Sequence, residues 1–296
     1  MAGLNSENGG SFLTLSLHGT LNLLSEADPS PAGCKQISGP QGFYTAAAYN
    51  AAINTVYGGD PSGCLFAVPL SGAESVCIKG DAVEKRSVTG SVHDGQVTGI
   101  VAIQSSVADG GDGGDVLLCS SGFDDKIRFT TVKDGRMVSD VESTLDVGAQ
   151  PRKLASGGGK VAVLTSQAVL FINPSTRSIL GRSALSFCSG QIEAKSIALS
   201  SDGAWCAIGG SDFKTHVFLI SRDTNELGAE VACLETRSAV TALSFTDDST
   251  KLAVGDAGKQ LEVFNTADWS CQNKGKWVFH TSTISALQVS LSLFWV

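Results

Sequence analysis

The chain has 296 residues, 42% hydrophobic and 17% charged, with 34 Gly against 7 Pro; this composition fits a well-cored, turn-rich globular protein and excludes a disordered one. Lys and Arg total 21 against 29 Asp and Glu, and the resulting net charge of -8 repels phosphate backbones and anionic lipid, which excludes nucleic acid and membrane surfaces and favours a basic protein partner. The 8 Cys are scattered without a Cys-x-x-Cys pair or a His at zinc-ligand spacing, so reduced thiols packed in the core are expected, with no metal and no cofactor.

Residues 1–10 are polar and carry no charged leader followed by an apolar run, so a disordered N-terminus on a cytoplasmic protein is expected. From residue 11 a unit recurs: a short apolar strand, a turn of Gly, Ser or Asp, and a second apolar strand. It appears first at 12–17 and 20–23 around His18-Gly19, then at 55–59 and 64–68 around Asp60-Pro61-Ser62-Gly63. An upstream strand at 97–103 precedes a Gly-rich acidic insertion, 104–115, which reads as a solvated loop because it lacks the ligand spacing of an EF-hand. The unit resumes at 117–122 and 126–129 around Phe123-Asp124-Asp125, and again from Val161 to Ile172 after a turn at Gly157-Gly158-Gly159-Lys160. That turn lacks the first Gly and the Ser/Thr of a phosphate loop, since Leu154 and Val161 occupy those places. Later copies have upstream strands at 196–199 and 240–245. Hairpin turns at Ser200-Ser201-Asp202-Gly203 and Thr246-Asp247-Asp248-Ser249 lead from them into 206–219 and 252–264.

Leu21, Leu65, Ile127, Val169, Thr215 and Leu261 are equivalent positions, spaced by 44, 62, 42, 46 and 46 residues, and the outlying step contains the insertion. A period near 40 to 45 with several short strands per unit predicts an all-β chain, a WD-type β-propeller of about six to seven four-stranded blades. Residues 11–296 are expected to form one such propeller, incomplete or irregularly closed. The repeats are degenerate: no Trp-Asp dipeptide occurs, Phe264-Asn265 and Phe218-Leu219 stand in its place, and the hydrogen-bond network of strong WD repeats is expected to be mostly absent. His93 and His280 occupy the repeat-histidine position, where hydrogen bonding rather than catalysis is expected. No Gly-x-Ser-x-Gly elbow or His-Glu-x-x-His helix occurs, so the chain is not expected to be an enzyme.

A resemblance becomes specific in the last third. Residues 252–264, followed by Trp277-Val278-Phe279-His280-Thr281 and 284–287, resemble two consecutive repeats of the actin-interacting protein 1 family, a WD-repeat family. Residues 13–23, 120–131 and 149–155, the last opening with Ala149-Gln150-Pro151, are similar in the same order to repeats of that family's second propeller. The resemblance implies a cytoskeletal protein that binds actin filaments decorated with cofilin and promotes their disassembly, although the family has two propellers and this sequence has one. A WD-repeat scaffold for another complex, or a propeller-type hydrolase, are the alternatives.

Recognition on a rigid scaffold falls to its turns, and the turn carrying Phe123, Asp124, Asp125 and Arg128 is the candidate partner-binding site, because an aromatic stands there among charges. Beyond Leu287 the sequence departs from the family pattern, so a truncated C-terminus is expected, with the alternating tail 289–296 either left as an open edge or paired with residues 12–17.

Overall fold

Short β-branched and apolar runs punctuated by Gly, Asp and Ser become strands, and a computed structural model shows 22 of them, with no helix among the described residues. Those residues are 2–4, 11–15, 20–25, 35–38, 44–50, 55–69, 91–104, 115–133, 136–185, 192–274, 283–284 and 287. They divide between two compact units, Met1–Pro151 and Arg152–Val296.

The first unit holds three antiparallel meanders. In the first, β1 (Ala2–Leu4), β2 (Ser11–Leu15), β3 (Thr20–Ser25) and β4 (Lys35–Ser38) pair in sequence order. β5 (Ala46–Asn50), β6 (Thr55–Gly59) and β7 (Leu65–Pro69) form a three-stranded sheet, and β8 (Val97–Gln104), β9 (Val116–Gly122), β10 (Lys126–Lys133) and β11 (Arg136–Asp146) a four-stranded one. The second unit repeats the plan. β12 (Pro151–Gly157), β13 (Lys160–Thr165), β14 (Ala168–Asn173) and β15 (Ser178–Ala184) make one sheet. β16 (Ala194–Leu199), β17 (Trp205–Gly210), β18 (Lys214–Ile220) and β19 (Leu227–Glu235) make another, and β20 (Val240–Phe245), β21 (Lys251–Asp256) and β22 (Leu261–Asn265) a third.

The expected blade count is corrected here. Of the described sheets only 4 have four strands and the other two have three, short of six to seven four-stranded blades. β1 lies inside the segment expected to be disordered: its residues Ala2, Gly3 and Leu4 pair with Leu13, Phe12 and Ser11 of β2. β3 takes the other edge of β2, through Leu13↔Leu23 and its neighbours. The tail 289–296, residues 105–114 of the insertion and His280 lie outside the described residues.

Sheets bury their faces against the next sheet, which explains why inner strands read as unbroken apolar runs rather than alternating ones. All five residues of β6 are buried, as are five of the six in β13 and in β17, whereas β15 and β19 are mostly exposed. In the first unit Tyr57 and Leu65 pack against Val97, Ile100, Val116 and Leu118. In the second, Val169 and Phe171 pack against Ile197 and Ile208, while Ala207 and Val217 face Val240, Leu243 and Val254. Each fully buried Val, Leu, Ile or Phe of this kind contributes about 1.5–3 kcal/mol.

A recurrent glycine sets how closely neighbouring sheets approach. A Cβ on Gly59 would lie 2.5 Å from Val97 Cγ1, one on Gly209 2.3 Å from Val240 Cγ1, and one on Gly255 2.7 Å from Ile284 Cγ2. Ile284, whose N–H donates to the Asp256 carbonyl at 3.4 Å, therefore occupies toward β21 the position that Val240 occupies toward β17.

The predicted hairpin turns are present and share one device. Ser200 Oγ accepts from the Trp205 N–H at 2.8 Å and donates to Asp202 Oδ1, which accepts from the Ala204 N–H at 3.0 Å. Thr246 and Asp248 repeat it, with Lys251 N–H on Thr246 Oγ1 at 3.0 Å and Thr250 N–H on Asp248 Oδ1 at 3.0 Å. Gly158 and Gly159, at φ 56° and 71°, close a two-residue turn between β12 and β13, as expected for a β-turn with both central residues left-handed.

Candidate functional site

The β9–β10 turn is built on Gly122, where a Cβ would sit 2.6 Å from His93 Cγ and 2.8 Å from Asp124 Oδ1. Only a bare Cα lets the imidazole lie against the end of the strand. His93 arrives on a segment fixed to the β6–β7 turn: the N–H groups of Val92 and His93 both donate to the Gly63 carbonyl, at 2.9 and 3.1 Å. Gly63 has φ 86°, and a Cβ there would stand 1.9 Å from the His93 carbonyl oxygen.

His93 is fully buried and hydrogen-bonded at both nitrogens, Nδ1 to Asp124 Oδ1 at 2.9 Å and Nε2 to Ser120 Oγ at 2.9 Å. A carboxylate only accepts, so Nδ1 carries the proton; a neutral ring then accepts at Nε2 from the Ser120 hydroxyl. Asp124 Oδ2 accepts from Arg128 Nη1 at 2.8 Å and from the Asp94 N–H at 3.2 Å, and the Arg128 guanidinium also donates to the Val92 carbonyl. Burial disfavours the imidazolium and holds the His93 pKa below its ordinary value, outweighing the pull of Asp124. For Asp124 burial works in the raising direction, but the hydrogen bond from His93, the Asp94 N–H and the Arg128 charge outweigh it and hold the carboxyl below the usual range.

This arrangement locks a turn. The structure splits the four residues predicted to bind a partner. Asp124, its side chain 6% exposed, and Arg128, 12% exposed, turn inward and complete the network, whereas the Phe123 residue is 52% exposed. Asp125 holds the left-handed position at φ 57° and its carbonyl accepts from the Val147 N–H at 3.1 Å. At this sheet a His, a Ser and an Asp build a hydrogen-bond network without a Trp. The His93 reading as a hydrogen-bonding residue agrees with the geometry.

A second histidine escaped the sequence reading. His216 on β18 has Nε2 3.0 Å from Asp212 Oδ2 and Nδ1 2.9 Å from Glu230 Oε1, and donor atoms of His216, Glu230 and Cys233 lie within 4.8 Å of one another. Cys119 and Cys206 are buried thiols whose pKa burial pushes up, as expected of core cysteines, but Cys233 is exposed.

The β-propeller domain of Cps50 (Swd1) from Myceliophteria thermophila matches with a TM-score of 0.63 at 11% identity, over 90% of this chain and 83% of that one. The chain has a β-propeller fold of the WD type. No protein-family model matches the chain. In sequence the propeller is similar to WD repeat-containing protein 1-B of Xenopus laevis, 27% identical over 202 residues that make up 68% of this chain and 30% of that protein. It is also similar to actin-interacting protein 1 of Drosophila melanogaster, 25% identical over 94% of this chain and 40% of that protein. The 66 kDa stress protein of Physarum polycephalum is 24% identical over 94% of this chain and 41% of its own length. The propeller thus spans less than half the length of each of these relatives.

Proposed function

We propose that this propeller is a non-enzymatic protein-binding platform of the cytoplasmic actin cytoskeleton that binds cofilin-decorated filaments and promotes their disassembly. The observation that carries the reading is the likeness to actin-interacting protein 1, which runs through 94% of the chain rather than through one repeat. The negative charge of -8 supports a partner with a basic contact surface and argues against nucleic acid or membrane. Within the turn between β9 and β10, Phe123 and Asp125 are the contact candidates, because Asp124 and Arg128 are already engaged with His93 and Val92.

The test is co-sedimentation of the purified chain with actin filaments, with and without cofilin, together with filament severing followed by microscopy. The chain should pellet with filaments only when cofilin is present, and Phe123→Ser should weaken that binding without changing the unfolding temperature. Failure to pellet under both conditions would refute the actin reading; unchanged binding by Phe123→Ser would remove this turn from the contact surface.

A further inference from the structure

β18 and β19 carry a cluster whose chemistry the binding function does not use. His216 lies directly across the ladder from Cys233, so both side chains stand on one face of the sheet. Glu230 is three residues from Cys233, a spacing that in an unbroken strand places the two on opposite faces. The strand is not unbroken: Val217 pairs with Ala232 and Phe218 with Glu230, which leaves Val231 as an extra, bulged residue. The bulge reverses the alternation and brings Glu230 opposite Phe218, on the same face as His216 and Cys233. Phe218 stacks beside the imidazole, with ring centroids 6.4 Å apart, and forms a wall for the cluster.

We propose that His216 Nδ1, a Glu230 carboxylate oxygen and Cys233 Sγ form a binding site for a divalent transition cation of the zinc class. Imidazole, thiolate and carboxylate together suit zinc or cobalt rather than calcium or magnesium, which take oxygen ligands. Metal–ligand bonds of about 2.0–2.3 Å separate tetrahedral ligand atoms by roughly 3.3–3.8 Å, a modest adjustment from donor atoms already within 4.8 Å. Three protein ligands leave a fourth position to water, and the exposure of Glu230 and Cys233 gives the ion a path from solvent.

The outer shell is in place as well. A metal-bound histidine fixes its ring by donating the remote N–H to a carboxylate, and His216 Nε2 stands 3.0 Å from Asp212 Oδ2. Asp212 lies close over Gly210, where a Cβ would meet Asp212 Oδ1 at 2.3 Å. On binding, the proton between Nδ1 and Glu230 and the Cys233 thiol proton both pass to solvent, and the cation takes their place. Asp212, Glu230 and Glu235 place negative charge near Cys233, which favours the incoming cation.

Titration of the purified, reduced chain with Co²⁺ tests this through the thiolate-to-cobalt charge-transfer absorption, followed by displacement with Zn²⁺. One equivalent should saturate the band, and Zn²⁺ should abolish it, raise the unfolding temperature and slow alkylation of Cys233 while leaving Cys64 and Cys271 unaffected. Cys233→Ser should eliminate the band, and Glu230→Gln and Asp212→Asn should each weaken Co²⁺ binding about 10–100-fold. Both Cys233 and Glu230 are exposed, so their variants should keep the metal-free unfolding temperature, and the alkylation readout needs no variant at all. Absence of the band, its survival in Cys233→Ser, or Cys233 alkylation indifferent to Zn²⁺ would overturn the site.

Discussion

Replacing Asp124 by Ala tests whether the network under the β9–β10 turn holds the first unit together. Asp124 accepts from His93 and Arg128 at 2.9 and 2.8 Å, and its side chain is only 6% exposed. A hydrogen bond to a charged group of this kind contributes about 1.5–3 kcal/mol. Its loss also strands a guanidinium that is 12% exposed, and breaking a buried pair from one side costs about 3–5 kcal/mol. The expected destabilisation is therefore about 3–5 kcal/mol for Asp124→Ala. Asp124→Asn should cost less, about 1–3 kcal/mol, because an amide oxygen still accepts from His93 Nδ1. The chain offers a clean readout: all 3 Tyr, at 44, 49 and 57, lie in the first unit and all 4 Trp in the second. Urea unfolding followed by tyrosine second-derivative absorbance should show the loss, and a double-mutant cycle with His93→Ala should give a coupling of about 1.5–3 kcal/mol. A Tyr transition shifted by less than about 1 kcal/mol, or a coupling near zero, would mean that the network is ornamental and the reasoning wrong.

Acid should weaken the fold in two steps. The His93 pKa lies below its ordinary 6.5, so its neutral form stabilises the fold above that value and the contribution is lost as pH falls below it, with a slope of up to about 1.4 kcal/mol per pH unit. Asp124, held below 3.8, adds a loss only at still lower pH; urea midpoints between pH 7.5 and 5 should slope in the wild type and flatten in His93→Gln, and equal slopes would contradict the assignment. Ser200→Ala should cost about 1–3 kcal/mol by leaving the Trp205 N–H without the hydroxyl it meets at 2.8 Å, read from Trp fluorescence during urea unfolding. Gly63→Ala should cost more than about 3 kcal/mol, since the new methyl would meet the His93 carbonyl at 1.9 Å in a left-handed backbone; a neutral result would show that the β6–β7 turn shifts freely.

Much of the fold was readable because the repeat forces its own punctuation. The Ser200–Asp202 and Thr246–Asp248 turns look different as residues but place a hydroxyl and a carboxylate at the same offset, which is why both were recognisable as hairpins. The short edge strands were not legible. Ala2–Leu4 is three residues long and offers no alternation to detect, so its pairing with β2 depends on long-range contacts that a local pattern does not encode.

The candidate site divides along the same line, between what spacing reveals and what geometry adds. Phe123-Asp124-Asp125 was visible as a turn, but the direction of each side chain was not. Gly122 decides it, because the absence of a Cβ admits His93 beneath the turn, and once the ring is there the Asp124 carboxylate has a buried partner while Phe123 has none in the core. Glu230 and Cys233 were hidden by a stronger effect. Reading period-2 alternation along β19 places them on opposite faces, and only the bulge at Val231 makes that reading fail. A sheet that departs from its own alternation at a position where it gathers an imidazole, a thiol and a carboxylate is where local rules are expected to give way to function.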